Sequence, residues 1–320
     1  MGALLAGTDE RARSSGDETR LFRRVANKEM SARRRERTPP LASVLLGSLL
    51  ICGLDTCCAG IPLGIDLGGH NSIVATARRG GIDVLVNEAS KRQTPSVVAF
   101  DERQRLLGQS ASTQQARSPS DCVADIKALL GIASLEAAQL VLRQPSAPLI
   151  DGDGAAPLVE VRLRGEARHF SATQLLAMLL HNLQRTAERE TSDAVTECTI
   201  AVPLYFTAAQ RRAVLDAAEI AGLKTCRLIS DGAAAALDYA LSRADLPVDE
   251  DHTVAIVDVG HLGAQVCVVA IRKDSLRILS HAYAPNVGGA VRAHRRAHAP
   301  TRIHASAHAR HALRRSRSGP

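Results

Sequence analysis

Aromatic residues are scarce in this chain, which has no Trp, four Phe and three Tyr among its 320 residues. Its apolar fraction of 45% is nevertheless that of a globular protein, so the core must consist mainly of aliphatic side chains. The seven Cys include no CxxC pair and no Cys/His spacing typical of a metal site, and their odd number argues against a disulfide framework. We expect Cys198, Cys226 and Cys267, which lie in or beside apolar runs, to be buried thiols without chemistry.

A positively charged folded region is also missing, although the net charge of the chain is +7. Residues 290–320 contribute eight Arg and no acidic residue, and residues 1–59 contribute ten basic and seven acidic residues. Removing these leaves residues 60–289 with a net charge of −4. Such a region is unsuited to binding a phosphate backbone, so the sequence predicts no nucleic-acid partner.

The apolar run at residues 41–54 is too short for a membrane span but has the length of a signal-peptide core. Translation from Met30 would place a basic segment before it, whereas the chain as written places it behind a polar leader. The alternatives for this run are a buried strand and a mis-assigned first exon.

Both ends of the chain, residues 1–60 and the Arg/His-rich tail at 290–320, are predicted to be disordered. The tail is interpreted as a misread frame or intron, or as a basic segment for acidic partners.

Strand and helix patterns alternate between these ends, which indicates a layered α/β fold. Capping boxes that begin at Ser171 and Thr207 predict two helices, the second of which ends at Gly222. An Ala-rich helix is predicted at 232–242. Strands are predicted at 62–67, 71–78, 82–86, 96–100, 195–202 and 224–229.

One pattern occurs twice: an apolar strand, Asp-x-Gly, a tight turn and a second apolar strand. The copies begin with Asp66 and Asp258, 192 residues apart, and each predicts a β-hairpin. Glycine lets backbone N–H groups approach a phosphate closely, and the carboxylate can hold the accompanying magnesium. A single copy would be ordinary turn chemistry. Two copies in the same order suggest a duplicated unit whose facing loops bind one nucleotide.

An ordered series of motifs resembles the ATPase domain of the heat-shock protein 70 superfamily over roughly residues 62–289. The motifs are Gly-Ile-Asp-Leu-Gly at 64–68, Arg-Gln-Thr-Pro-Ser-Val-Val-Ala-Phe at 92–100, Ile-Lys-Ala-Leu-Leu-Gly at 126–131, Ala-Val-Pro-Leu-Tyr-Phe at 201–206, Gln-Arg-Arg at 210–212, Ala-Gly-Leu at 221–223, an Ala run at 233–236 and Gly-Gly at 288–289. The resemblance implies the actin-like ATPase (ribonuclease-H-like) fold. It implies a nearly complete first lobe at 61–248 and the start of a truncated second lobe at 249–289.

The second loop, Asp-Val-Gly-His at 258–261, is similar to the Asp-Ile-Gly-His loop of the heat-shock protein 110 subclass. This resemblance implies an ATP- or ADP-binding cochaperone that exchanges nucleotide on a conventional heat-shock protein 70 chaperone and holds unfolded polypeptides. It implies the cytoplasm or the nucleus as the compartment. The lumen of the endoplasmic reticulum is the alternative if residues 30–59 act as a signal peptide.

The resemblance also implies site residues. Asp66 and Asp258 are expected to hold Mg²⁺ through water and to position the attacking water, with Asp231 as a weaker catalytic candidate. Backbone groups of the two loops are expected to bind the phosphates. The loop residues are Gly68, Gly69, His70, Asn71, Gly260, His261 and Gly263.

Departures from the family pattern predict weak or absent hydrolysis. Gly69 and His70 stand where hydroxyl side chains are expected, and Ser112 replaces a lysine that would stabilise the transferring phosphoryl group. Gln265 replaces the second carboxylate of the second loop and cannot act as a base. The alternative functions are a small-molecule kinase of the same fold, for which Asp231 is the only acidic candidate base, and a non-functional fragment or gene-model artefact.

Overall fold

The computed structural model describes residues 60–78, 81–142, 145–285 and 287–289. The predictions of a disordered leader, an apolar targeting segment and a basic tail lie outside these residues. Within them, no helix is both long and apolar enough to cross a membrane.

The described residues form short strands and six α-helices, joined in part by a 3-10 turn at Pro119–Asp121. The strands are β1 Ile61–Asp66, β2 Asn71–Arg78, β3 Gly81–Val84, β4 Thr94–Pro95, β5 Val98–Phe100, β6 Arg105–Leu107, β7 Cys122–Val123, β8 Leu149–Gly152, β9 Ala155–Leu163, β10 Glu166–Ser171, β11 Val195–Val202, β12 Cys226–Ser230, β13 His252–Val259, β14 Ala264–Arg272 and β15 Ser275–Ala284. The helices are α1 Gly108–Gln115, α2 Ile126–Leu129, α3 Leu135–Val141, α4 Ala172–Thr191, α5 Ala208–Ala221 and α6 Asp231–Leu241.

The main sheet has the strand order β12-β11-β1-β2-β3, with β4 paired to β2. Strands β1, β11 and β12 are parallel, whereas β1, β2 and β3 form an antiparallel meander. Because parallel strands end at the same edge of a sheet, the carboxyl ends of β1, β11 and β12 lie side by side. That edge carries Asp66 at the end of β1 and Asp231 directly after β12.

A second sheet, β13-β14-β15, is antiparallel throughout. Its first hairpin is the second Asp-x-Gly unit of the sequence. The register pairs Asp258 with Gln265, so these side chains lie directly opposite each other on neighbouring strands. Two smaller sheets, β10-β9-β8 and β6-β5-β7, complete the fold.

The core is predominantly aliphatic, as the composition predicts. The larger hydrophobic cluster joins β1 and β11 to α4 and α5, and the apolar face of α4 supplies a run of fully buried leucines. These are Leu175, Leu176, Leu179, Leu180 and Leu183. A second cluster joins α6 to β12, β14 and β15. The predicted domain boundary at 248/249 stays a prediction.

Several sequence predictions are confirmed at the level of single residues. Strands 71–78 and 195–202 have the predicted bounds, both capping boxes form, and Gly222 ends α5 with a left-handed φ of 92°. The predicted strand 96–100 is shorter in the structure, where β5 begins at Val98, and a separate strand, β4, precedes the predicted range at Thr94–Pro95 and pairs with β2. Strands β8 to β10 had no counterpart in the prediction.

The expectation for the cysteines holds in part. Cys198 and Cys267 are buried, whereas Cys226 is only half-buried. Cys226 lies at the first position of β12, and only the last two residues of that strand, Ile229 and Ser230, are buried. The prediction of burial is therefore wrong for this thiol.

Candidate functional site

A cavity of about 870 Å³ lies where the loop after β1 meets the loop after β13. All ten residues that the sequence singled out line it, although they come from chain segments separated by more than a hundred residues. They are Asp66, Gly68, Gly69, His70, Asn71, Asp231, Asp258, Gly260, His261 and Gly263. The structure thus brings both hairpin loops and all three candidate carboxylates to a single cavity.

The carboxylates face one another across this cavity. Burial raises the pKa of Asp66 above its ordinary value, with Lys127 opposing the shift and Asp258 adding to it. Burial likewise raises the pKa of Asp231, against the opposing effects of Lys127 and a hydrogen bond from Gln265. Both directions follow from placing several negative charges in a partly desolvated space. The site therefore has a strong demand for positive charge.

Lys127 supplies part of that charge, and sequence reasoning did not assign it to the site. Its side chain is only 9% exposed, and Nζ lies 3.9 Å from Oδ2 of Asp231. The ammonium also lies 5.9 Å from the centre of the Phe206 ring. Among the described residues that line the cavity, it is the only Lys or Arg. The sequence feature that could have indicated this role is the position of Lys127 within the apolar run of α2, because a buried lysine requires a partner for its charge.

Gln265 connects the carboxylates to each other. Its Nε2 donates to Oδ2 of Asp258 at 2.8 Å and lies 3.1 Å from Oδ2 of Asp231. Two acceptor atoms beside this bridge, Oδ1 of Asp231 and Oε1 of Gln265, are buried and have no hydrogen-bond partner in the structure. Buried acceptors without partners are unfavourable, so these oxygens favour a partner within the cavity, which an ordered water, a donor group or a hydrated cation would supply.

The two loops need their glycines because other backbone and side chains approach them closely. A Cβ on Gly68 would overlap the carbonyl oxygen of Asn71, and one on Gly69 would lie 2.5 Å from Cγ of Leu262. In the second loop, Gly260 N–H donates to the Gly263 carbonyl at 2.9 Å. The contact of Gly69 with Leu262 shows that the two hairpin loops touch each other at the cavity.

Two tyrosines also lie at the site. Tyr205 packs against the larger hydrophobic cluster, lines the cavity and stacks on Tyr283, with ring centroids 3.6 Å apart. Tyr283 lies on β15 and was not recognised from sequence, because nothing in its neighbourhood indicates a pairing across the fold. Ser112, on α1, is not among the residues that line the cavity.

The donor set suits a hard divalent cation. Carboxylates, an unpartnered carboxylate oxygen and an unpartnered amide oxygen are the ligand types that Mg²⁺ prefers. No three His, Cys, Asp or Glu side chains of the described residues are close enough to bind one ion directly. The sequence predicts that Asp66 and Asp258 hold the ion through water, and this stays a prediction.

Comparison with known proteins agrees with the fold. The family described as Hsp70 protein matches residues 62–295. Heat shock 70 kDa protein 14 of Arabidopsis thaliana is 40% identical over 228 residues, which cover 71% of this chain and 27% of that protein. Heat shock protein hsp88 of Neurospora crassa is 40% identical over 231 residues, covering 71% of this chain and 32% of that protein.

A heat shock protein homolog of Lachancea kluyveri is 38% identical over 235 residues, covering 72% of this chain and 34% of that protein. The chain thus spans about a third or less of the length of these curated relatives. The family match, by contrast, extends over more than half of the chain. The chain therefore belongs to the Hsp70 protein family and has the actin-like ATPase fold of its nucleotide-binding domain.

Proposed function

We propose that this chain binds ATP or ADP together with Mg²⁺ in the cavity between the two Asp-x-Gly loops. The observation that carries the proposal is the convergence of both loops on one cavity that also holds three carboxylates and two unpartnered acceptor oxygens. A folded protein leaves such acceptors unsatisfied at a cost in stability, and a hydrated cation would satisfy them.

Asp66 and Asp258 would hold the magnesium ion through its water shell, and Asp231 would face the same shell through Oδ1. When bound, the ion would supply positive charge between the carboxylates and the phosphates. Lys127 would supply the charge that the protein itself contributes. The glycines at 68, 69, 260 and 263 would leave room for the phosphates close to the backbone.

Hydrolysis in this site is expected to be slow. Gln265 occupies the position opposite Asp258 and donates to that carboxylate and to Asp231, so an amide donor engages both candidate bases. An amide side chain cannot accept a proton as a general base, so position 265 supplies none. Loss of a single electrostatic stabiliser costs about a hundredfold or more in rate, and Ser112 offers no charge.

The finer role follows from the resemblance of the second loop to the heat-shock protein 110 subclass. We propose that the protein acts as a cochaperone that exchanges nucleotide on a conventional heat-shock protein 70 chaperone and holds unfolded polypeptides. A chain that binds nucleotide tightly but turns it over slowly fits this role better than that of a cycling ATPase. The cytoplasm is the proposed compartment.

Isothermal titration calorimetry with Mg-ADP on the full chain tests the binding proposal. We expect saturable binding that weakens at least tenfold in Asp258→Asn, while Asp193→Asn, on a loop distant in sequence from both hairpins, leaves the affinity unchanged. Absence of binding by a folded sample, shown by a cooperative thermal transition, would remove the proposal.

Single-turnover measurements test the explanation for slow hydrolysis. Ser112→Lys combined with Gln265→Asp would restore a point charge and a second carboxylate, so the rate should rise severalfold over the unmodified chain. An unchanged rate with unchanged affinity would show that depleted charge is not the main defect.

A further inference from the structure

Two free thiols lie directly opposite each other on neighbouring strands of the main sheet. The parallel register of β11 and β12 pairs Cys198 with Cys226, and the backbone N–H of Cys198 donates to the Thr225 carbonyl at 2.8 Å. Side chains at opposed positions of adjacent strands point to the same face of a sheet. Adjacent strands are about 4.8 Å apart, and a disulfide joins residues whose Cα atoms are roughly 4.4–6.8 Å apart. The backbone therefore holds this pair at a spacing that a disulfide can bridge without movement of either strand.

The two thiols differ in their access to water. Cys198 is 2% exposed and belongs to the larger hydrophobic cluster, whereas Cys226 is half-buried and packs against that cluster. Among the described strands, β12 pairs with β11 alone, and Cys226 is its first residue. An oxidant dissolved in water can therefore reach the sulfur of Cys226, while Cys198 stays covered.

A hydrogen bond between the thiols gives them different chemical roles. The Cys198 S–H donates to the sulfur of Cys226, which lowers the pKa of Cys226 although burial opposes this shift. The same hydrogen bond, together with burial, raises the pKa of Cys198. In its protonated form, Cys226 donates only a long hydrogen bond of 3.8 Å to the Arg227 carbonyl. Because the thiolate is the reactive form of cysteine, Cys226 is the nucleophile of the pair and Cys198 keeps its proton.

We propose that Cys226 and Cys198 form a redox-active pair, which a hydroperoxide such as hydrogen peroxide converts to a disulfide between β11 and β12. In the first step, the Cys226 thiolate attacks one oxygen of hydrogen peroxide. An S–O bond forms, the O–O bond breaks, and the departing hydroxide takes up a proton to become water. Cys226 is then a sulfenic acid.

The second step needs the thiol on the neighbouring strand. The Cys198 sulfur attacks the Cys226 sulfur, so that an S–S bond forms and the S–O bond breaks. The departing hydroxide leaves as water with the proton of the Cys198 thiol. In total the two thiols lose two electrons, and one hydrogen peroxide is reduced to two water molecules. A dithiol reductant reverses the reaction by thiol–disulfide exchange.

The thiol pair is separate from the nucleotide cavity, because neither cysteine lines it. Val202 and Ser230, which end the two strands, are each four positions beyond the cysteine of their strand. The cavity is lined by residues just after these ends, among them Pro203 and Asp231. The inference therefore does not depend on the proposed nucleotide binding, and a failure of one leaves the other standing.

Peptide mapping of the full, reduced chain after exposure to hydrogen peroxide tests the proposal. The remaining thiols are alkylated in guanidinium chloride, and the chain is then cleaved with trypsin without reduction. Trypsin cleaves on both sides of each cysteine, so Cys198 is recovered in peptide 190–211 and Cys226 in peptide 225–227. We expect mass spectrometry to find these two peptides joined by a disulfide, and to find them separate after treatment with dithiothreitol.

Cys122 is the internal control in the same digest. It is buried, lies opposite Ala99 on β5, and has a pKa that burial raises to about 11. A buried thiol without a neighbouring cysteine should not react, so Cys122 should be recovered in its alkylated form.

Two variants test the separate roles of the thiols. Cys198→Ala removes the thiol that attacks the sulfenic acid, so labelling of Cys226 by dimedone, which traps sulfenic acids, should rise severalfold. Cys226→Ala should leave Cys198 without dimedone label, because the buried thiol is not reached by the oxidant.

The proposal would be overturned if Cys198 and Cys226 were recovered as separate alkylated thiols from a folded sample, at a peroxide exposure that fully oxidises free glutathione. A disulfide from Cys226 to a different cysteine would also overturn it, as would equal dimedone labelling of Cys226 with and without Cys198. The mapping on the unmodified chain decides the matter even if a variant fails to fold.

Discussion

At the scale of single residues, Lys127 is the cation on which the unliganded site depends. It is mostly buried, lies 3.9 Å from Asp231 and lowers the pKa values of Asp66 and Asp231 against the effect of burial. Without it, three carboxylates would share the cavity with no Lys or Arg among the described residues that line it. Removal of one partner from a buried charge pair leaves the other uncompensated.

Lys127→Met should lower the free energy of unfolding by about 1–3 kcal/mol, because the carboxylates lose their cation while the side-chain volume is kept. Added Mg²⁺ should stabilise this variant more than the unmodified chain, since the ion takes over the charge compensation. Lys127→Arg retains the charge and serves as the control. Urea denaturation with and without Mg²⁺ measures both effects, and equal stabilisation of all three proteins by Mg²⁺ would contradict the prediction.

The raised pKa of Asp231 has a defined consequence for stability as a function of pH. A carboxyl whose pKa is higher in the folded than in the unfolded state binds more protons when folded, so stability falls as the pH rises from 3.8 through the raised value. Asp231→Asn removes the titrating carboxyl group and therefore this loss of stability with rising pH. The stability of the variant relative to the unmodified chain should therefore increase with pH above 3.8 and then level off.

Thermal denaturation between pH 3 and 7 tests this: between these pH values the midpoint of the variant should rise relative to that of the unmodified chain by roughly 2–4 °C, whatever the constant difference from the lost contact with Lys127. Asp251 is the control of opposite sign, because hydrogen bonding and charge from Arg272, with Arg277 assisting, hold its pKa below the usual range. Asp251→Asn should lose stability relative to the unmodified chain as the pH rises toward 3.8, and the difference should stay constant above it. The same trend in both variants would be inconsistent with burial of Asp231 as the cause.

At the scale of secondary-structure elements, the helices are specified locally by their first turns. In α5, the Thr207 hydroxyl accepts from Gln210 N–H at 3.3 Å while the Gln210 side chain accepts from Thr207 N–H at 3.0 Å. Helix α4 has the same reciprocal arrangement between Ser171 and Gln174. These local signals explain why the starts of both helices were predicted correctly, whereas strands β8 to β10 depend on pairing partners that a local pattern does not reveal.

Thr207→Ala should lower the free energy of unfolding by about 0.5–2 kcal/mol, because Gln210 N–H at the start of a core helix loses its side-chain acceptor, whereas the backbone N–H of residue 207 is kept. Thr207→Ser keeps the hydroxyl and should retain most of the stability. Chemical denaturation monitored by circular dichroism measures the difference. A loss of the same size in both variants would show that the threonine methyl group, and not the cap, is responsible.

At the scale of the whole molecule, β13 is an edge strand with an exposed apolar row. Among the described strands it pairs with β14 alone, and Val257 and Val259 are each 64% exposed. An unpaired apolar edge is a site of self-association in isolated domains.

Val257→Thr/Val259→Thr should reduce concentration-dependent light scattering, since threonine preserves shape and strand propensity but lowers the apolar area at the edge. Leu140→Gln is the control, because Leu140 is 82% exposed on a helix, α3, and not on a strand. Scattering reduced equally by both changes would indicate general surface hydrophobicity. The thermal midpoint should change little in either variant.

The sequence by itself determined the repeated Asp-x-Gly hairpins, the two capping boxes, the aliphatic core and the resemblance to the heat-shock superfamily. These features are local, because they depend on residues within a few positions of one another or on ordered motifs along the chain. The ten predicted site residues could be identified from the sequence because they belong to, or directly adjoin, these motifs.

Only the tertiary structure decided how these residues act together. The parallel pairing of β1, β11 and β12 brings Asp66 and Asp231 to one sheet edge, and the β13–β14 register places Gln265 between Asp231 and Asp258. Lys127, Tyr283 and the contact between His70 and His261 depend on burial and distance between segments far apart in sequence. Charge compensation and ring contacts of this kind are properties of three-dimensional proximity, which no local pattern of residues encodes.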